Sequence, residues 1–189
     1  MARPEAIVIG CSAGGLDALK PLLHAMEPPL SQAVVVCSHS GDPGSLLVEL
    51  LARHSALPVR EAQERWPVEA GAVHVAPAGY HLLIERDRRF AFSVDAPVHY
   101  SRPSIDVLFE SAADAYGARL VGVMLTGANA DGARGLARIR QAGGLAVVQD
   151  PGEAAAAAMP RAALERAGAD HCLPLAQIAL LLNHLAHSE

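Results

Sequence analysis

The chain has 189 residues, 51% of them apolar, 19% charged and only 4% aromatic, with a formal net charge of −5. A single domain of this length buries roughly 70% of its unfolded surface, which excludes disorder and any need for disulfides or metal in folding. The acidic balance argues against a dedicated nucleic-acid binder, and no apolar run approaches the ~20 residues that cross a bilayer.

Met1 to Glu5 leads straight into an apolar segment and lacks the anatomy of a signal peptide, so a cytoplasmic location without membrane insertion is expected. Ala6 to Ile9 is a short β-branched run suited to a strand covered on both faces. Gly10-Cys-Ser-Ala-Gly-Gly15 follows, then a helical stretch from Leu16 to Met26. Ala33 to Cys37 predicts a second buried strand, and Gly44 to His54 a helix with Leu46, Leu47, Leu50 and Leu51 on one face. Pro58 to Glu61 and Ala72 to Ala76 predict short strands. Tyr80 to Glu85 and Arg89 to Val94 flank Arg86-Asp87-Arg88 and predict a hairpin near one sheet edge. Ser104 to Tyr116 reads as a helix with Pro103-Ser104 as its start. Leu120 to Leu125 is a strand, Thr126 to Asp131 a loop and Gly132 to Ala142 a helix. Leu145 to Val148 is the next strand, and helices follow at Pro160 to Ala167 and Leu175 to His187. The alanines from 154 to 158 fit a loop or a helix start equally well.

Strands and helices alternate throughout, which predicts one α/β domain over residues 1–189: a doubly wound, mostly parallel sheet with helices on both faces. The three cysteines, Cys11, Cys37 and Cys172, are widely spaced and form no CxxC, so they read as free thiols packed as small apolar side chains.

In open α/β sheets ligands bind beyond the carboxyl ends of the strands. Three candidate residues fall there: Ser12 after the first strand, His39 after the second, and Asp131 in the loop after the Leu120 strand. Gly10-Cys-Ser-Ala-Gly14 fits the G-x-S-x-G nucleophile elbow in its strand–turn–helix setting. Its glycines allow a sharp turn that lifts the hydroxyl above the sheet, and the helix N-terminus aims N–H groups at a developing oxyanion. Read as a triad, Ser12 attacks an acyl carbon, His39 moves the proton and Asp131 orients the imidazole. The Ala13 and Ala128 N–H groups are candidate oxyanion donors, and Arg102 is a candidate partner for a substrate carboxylate. The order Ser, His, Asp departs from that of the ordinary α/β-hydrolases.

Each residue also has a plainer reading. Ser12 and Asp131 could be N-caps of the helices that follow them, His39 a loop histidine and Arg102 a surface arginine. A dinucleotide site fits poorly, because Ser12 stands where G-x-G-x-x-G needs its middle glycine and no acidic residue closes the second strand. His184 and His187 have ligand spacing, but no carboxylate accompanies them.

Taken together, several blocks carry a resemblance. Gly10-Cys-Ser-Ala-Gly-Gly15, the strand ending in His39, Val75-Ala-Pro-Ala-Gly79, Arg102-Pro-Ser-Ile-Asp-Val-Leu-Phe109, Leu125-Thr-Gly-Ala-Asn-Ala-Asp-Gly132 and Met159-Pro-Arg161 occur in the order seen in the catalytic domain of the bacterial chemoreceptor protein-glutamate methylesterases. The chain resembles that family from about Ala6 to about Leu182. The resemblance implies a Ser-His-Asp triad on Ser12, His39 and Asp131 and no metal or organic cofactor. It implies methyl-esterified glutamates on cytoplasmic chemoreceptor helices as substrates, methanol as product, and deamidation of receptor glutamines by the same chemistry. The 189 residues leave no room for the family's usual receiver domain, so two modes of control stay open: a stand-alone esterase controlled in trans by a separate response-regulator protein, or one that is constitutively active. Departures from the family pattern stand at Ala13, at Ser40-Gly41-Asp42-Pro43, at Gly127-Ala128-Asn129 and in the alanines before Met159. They keep two alternatives open: a non-catalytic binding module for a receptor or signalling partner, and an esterase for a small-molecule ester.

Overall fold

A computed structural model describes residues 3–39 and 44–187. The Ser40 to Pro43 departure lies outside the described residues. Seven strands form one sheet: β1 (Ala6–Cys11), β2 (Ala33–Ser38), β3 (Val59–Glu61), β4 (Val73–Val75), β7 (Leu120–Met124), β8 (Leu145–Gln149) and β9 (His171–Leu173). Their order is β3-β4-β2-β1-β7-β8-β9, and every pairing is parallel. From β1 the chain builds outward through β2 and later returns to β7 on β1's other side. The topological switch point thus lies between β1 and β7, where a crevice opens at the strand ends.

The strands are apolar on both sides because both sides are covered. Ile7, Ile9, Val34, Val36, Val121 and Val123 pack against α1 (Gly15–His24), α2 (Gly44–Ala52) and α6 (Leu175–His187). The alternate residues Val8, Val35, Cys37, Ala146 and Val148 pack against α3 (Ile105–Tyr116), α4 (Ala133–Gln141) and α5 (Ala158–Ala167). Period-two alternation therefore assigns each strand residue to one of two cores.

The structure departs from the sequence reading in two places. The hairpin β5 (His81–Ile84) and β6 (Phe90–Ser93) is a separate two-stranded sheet, bonded to no strand of the main sheet. Leu82, Ile84 and Phe90 seat it in the α3-side core instead. Strand β9 was not expected, because its three residues carry too little pattern to stand out; the exposed Cys172 lies on it, whereas Cys11 and Cys37 are buried. The alanines before 158 form the approach to α5, which begins at Ala158.

Gly10 shows how closely α3 approaches β1. A Cβ placed there would stand 2.4 Å from Ile105 Cγ2. Gly10→Ala is expected to destabilise the fold by about 1–3 kcal/mol, measured as a lowered denaturation midpoint.

Candidate active site

Ser12 follows β1 at the crevice. The chain turns at once: the Gly15 N–H donates to the Ser12 carbonyl at 2.8 Å, and Gly14 takes φ 76°, a left-handed conformation open to glycine at little cost. Gly14 is the N-cap of α1, and no side chain caps that helix. Ser12 is thus relieved of the capping role its position allows, and its hydroxyl forms no hydrogen bond with any described residue. Cys11 packs beneath the turn, where a Cβ on Gly15 would meet its Sγ at 2.6 Å. Burial pushes the Cys11 thiol up to about 11, against a smaller opposing effect of its bond with Ser38, so Cys11 is no competing nucleophile.

His39 stands at the end of β2, its N–H donating to the Cys11 carbonyl at 3.2 Å. Its side chain is only 6% exposed, and Nε2 lies 2.7 Å from Asp131 Oδ2. A carboxylate only accepts, so Nε2 carries a hydrogen, and in the neutral imidazole Nδ1 keeps its lone pair. Nδ1 is buried with no hydrogen-bond partner among the described residues. The nitrogen left to serve as a base is therefore Nδ1, the reverse of the serine-protease arrangement in which Nε2 meets the serine.

Asp131 is fully buried, and both of its oxygens are saturated. Oδ1 accepts from the Ser104 hydroxyl at 2.8 Å and from the Asp106 N–H at 3.0 Å; Oδ2 accepts from the Ile105 N–H at 2.7 Å as well as from His39. Asp131 does not cap the helix that follows it, whose N-cap is Gly132 with no side-chain bond. It caps α3 from outside, with its charge at that helix's positive end. Burial pushes the Asp131 carboxyl up, but the hydrogen bonds from His39, Asp106, Ile105 and Ser104 outweigh it and hold the group below the ordinary carboxylate range.

Known proteins share this chain's sequence and fold. Residues 7–182 match the family model described as CheB methylesterase. This chain belongs to the CheB methylesterase family. A relative from Leptospira interrogans is 47% identical over 183 residues, which cover 96% of this chain and 94% of the relative. The protein-glutamate methylesterase/protein-glutamine glutaminase of Symbiobacterium thermophilum is 42% identical over 92% of this chain but only 48% of its own length. The crystal structure of the Thermotoga maritima CheB methylesterase catalytic domain superposes with a TM-score of 0.92 at 28% identity, covering 96% of this chain and 98% of that one.

The other predicted residues of this CheB-family domain lie as follows. Ala13 and Ala128 are exposed at the crevice, and neither N–H is bonded to an acceptor among the described residues. The Thr126 hydroxyl braces the elbow, donating to the Ala13 carbonyl at 2.9 Å and accepting from the Ala156 N–H at 2.8 Å. Arg102 faces a loop rather than the crevice: its Nη1 donates to the carbonyls of Val94 and Asp95 at 2.9 and 3.1 Å.

Sequence reasoning missed Ser104 and His81. Ser104 is a helix cap by sequence, accepting from the Val107 N–H at 3.5 Å, but its hydroxyl hydrogen goes to the Asp131 carboxylate 27 residues away. The Ser104 N–H donates to His81 Nδ1 at 3.1 Å, and His81 Nε2 donates to the Ala96 carbonyl at 3.1 Å. Pro103-Ser104 signalled a helix start, yet nothing local in sequence signals the partner. A bond to a charged group contributes about 1.5 kcal/mol, so Ser104→Ala is expected to lower kcat roughly tenfold with KM unchanged in steady-state kinetics.

Recesses flank the site on two sides. A recess of about 230 Å³ is lined by Ser12, Leu16, Leu47 and Leu50. A cleft of about 510 Å³ lies beyond Asp131, lined by His99, Asp106, Ala130, Arg134, Glu165 and Arg166. His99, Asp106 and Asp131 are the one group of metal-ligating type found close together among the described residues. They suit a cation poorly, because Asp131 has no lone pair to spare and Arg134 Nε stands 3.8 Å from Asp106 Oδ2. The described helices include none long and apolar enough to cross a membrane.

Proposed function

We propose that this chain is a serine carboxylic-ester hydrolase that removes methyl groups from glutamate γ-methyl esters on the cytoplasmic helices of chemoreceptors. The observation that carries this reading is the 2.7 Å His39–Asp131 bond, which leaves Nδ1 as a bare base at the strand end next to Ser12. Family membership supplies the ester chemistry, and relatives such as that of Symbiobacterium thermophilum bear the methylesterase and glutaminase names.

In the first half-reaction His39 Nδ1 takes the Ser12 proton as Oγ attacks the ester carbonyl. The resulting oxyanion is met by backbone donors, for which the Ala13 and Ala128 N–H groups are the candidates. The imidazolium then protonates the departing methoxide, methanol leaves, and an acyl-Ser12 ester remains. In the second half-reaction a water gives a proton to Nδ1 and attacks the acyl carbon. Ser12 regains its hydrogen, and the glutamate is released as a carboxylic acid that ionises in water. Asp131 stays ionised and offsets the imidazolium charge. With glutamine in place of the ester, ammonia leaves by the same path, which makes receptor deamidation a second activity of the same groups.

The test is methanol release from a methyl-esterified chemoreceptor cytoplasmic fragment. Turnover by the natural chain supports the reading. A folded protein that binds the fragment and releases no methanol would make it a binding module, and turnover confined to small esters would move the substrate class.

A further inference from the structure

We propose that the turn at residues 98–101 is a docking element for the polypeptide that carries the ester, with Tyr100 as its contact residue; this rests on the methylesterase reading above. Val98 and Ser101 exchange both backbone hydrogen bonds, at 3.1 and 2.9 Å, which makes His99-Tyr100 a two-residue loop. His99 has φ 47° and Tyr100 φ 62°. Such loops place both residues in the left-handed region and favour Asn-Gly, because a Cβ is disfavoured there. Four described non-glycine residues have positive φ; Arg65 and Arg88 stand singly, whereas His99 and Tyr100 are consecutive. Histidine is among the residues that tolerate this conformation, so the outlier is Tyr100.

The tyrosine returns nothing to the fold for this strain, since its side chain is fully exposed at 103% of the reference area. Strain that packing does not offset points to function. The location agrees. The inner residue, His99, brings Nε2 to 3.7 Å from Asp106 Oδ2, and ligating atoms of His99, Asp106 and Asp131 all lie within 4.8 Å of one another. The loop that bears the turn is held from below by Arg102, on the Val94 and Asp95 carbonyls, and by His81, on the Ala96 carbonyl. Exposed Val94 lies on the same support, and exposed Tyr80 follows Gly79, whose N–H donates to the Arg102 carbonyl at 3.3 Å. A rigid base thus presents an apolar, aromatic rim beside Asp131. A small ester has no use for such a rim, whereas an ester on a helix must lay neighbouring apolar side chains against the enzyme. An aromatic side chain with two rotatable bonds is suited to that contact at small entropic cost.

The test compares Tyr100→Gly with the natural chain on two substrates, a methylated receptor fragment and a short peptide containing glutamate γ-methyl ester. The expected result is about a tenfold loss of kcat/KM on the receptor fragment, carried by KM, with the short peptide unaffected. Tyr100→Gly is also expected to raise Tm, because glycine relieves the left-handed strain. Unchanged kinetics on the receptor fragment, or an equal loss on both substrates, would overturn the proposal. Binding of the fragment to Ser12→Ala and to the Ser12→Ala, Tyr100→Gly double variant separates this proposal from the esterase reading. About tenfold weaker binding by the double variant supports docking even without turnover, and equal binding refutes it.

Discussion

Ser12→Ala is expected to abolish methanol release, with a loss on the order of 10⁶ in kcat, the scale seen when a triad nucleophile is removed. The fold is expected to persist, because the Ser12 hydroxyl makes no hydrogen bond with a described residue and caps no helix. The backbone bonds at this position, Ser12 N–H to the Thr126 carbonyl at 2.9 Å and Gly15 N–H to the Ser12 carbonyl, do not depend on the side chain. Methanol assays alongside thermal denaturation check both halves. Full activity in the variant would remove Ser12 from the chemistry. Lost activity with a collapsed Tm would assign it to the fold.

Asp131→Asn is expected to cost on the order of 10⁴ in kcat. The reason is local. Each Asp131 oxygen accepts two hydrogen bonds, and an amide turns one of them into a donor. With that amide toward His39, the imidazole must move its hydrogen to Nδ1, and the base is lost. With it toward Ser104, the N–H of Asp106 and the Ser104 hydroxyl lose their acceptor at the start of α3. Either orientation leaves buried donors unpaired, at about 1–3 kcal/mol each. The variant should therefore also be less stable near neutral pH. The sign of the pH dependence follows from the depressed Asp131 carboxyl. Its stabilisation is complete above the ordinary carboxylate range, about pH 4, and is lost as pH falls through the lower native value. The Asn variant has no such contribution to lose. The Tm gap between the natural chain and Asp131→Asn should narrow as pH falls from 6 toward 2. The Asp106 carboxyl is pushed up by burial in both proteins, and the further push from the Asp131 charge is absent in Asp131→Asn.

Much of this architecture is legible in the sequence because parallel strands covered on both faces must be uniformly apolar. Val8 and Ile9 face different cores, and neither could be polar. The same logic placed Ser12, His39 and the Asp131 loop at one sheet edge, since each follows a buried run. The hairpin's seat was not legible. Period-two alternation reports a half-buried pair of strands, and α3 or a sheet edge would cover it equally well. Strand β9 escaped because three residues have no measurable period. The anchoring of Asp131 escaped for a different reason. An aspartate just before a helix reads as the cap of that helix, whereas this one caps α3, 26 residues earlier in the chain at Ile105. The charge of Arg102 suggests a substrate carboxylate as its partner, yet its guanidinium braces the Val94–Asp95 backbone, a role that charge does not announce.

Whether Ser12 is a nucleophile activated by His39 and Asp131 is decided by reacting the folded chain with diisopropyl fluorophosphate and locating the adduct by peptide mass spectrometry. A stoichiometric phosphoryl adduct on Ser12 is expected, forming orders of magnitude more slowly in Asp131→Asn. An unlabelled Ser12 in folded protein, or equal labelling rates in the two proteins, would contradict it.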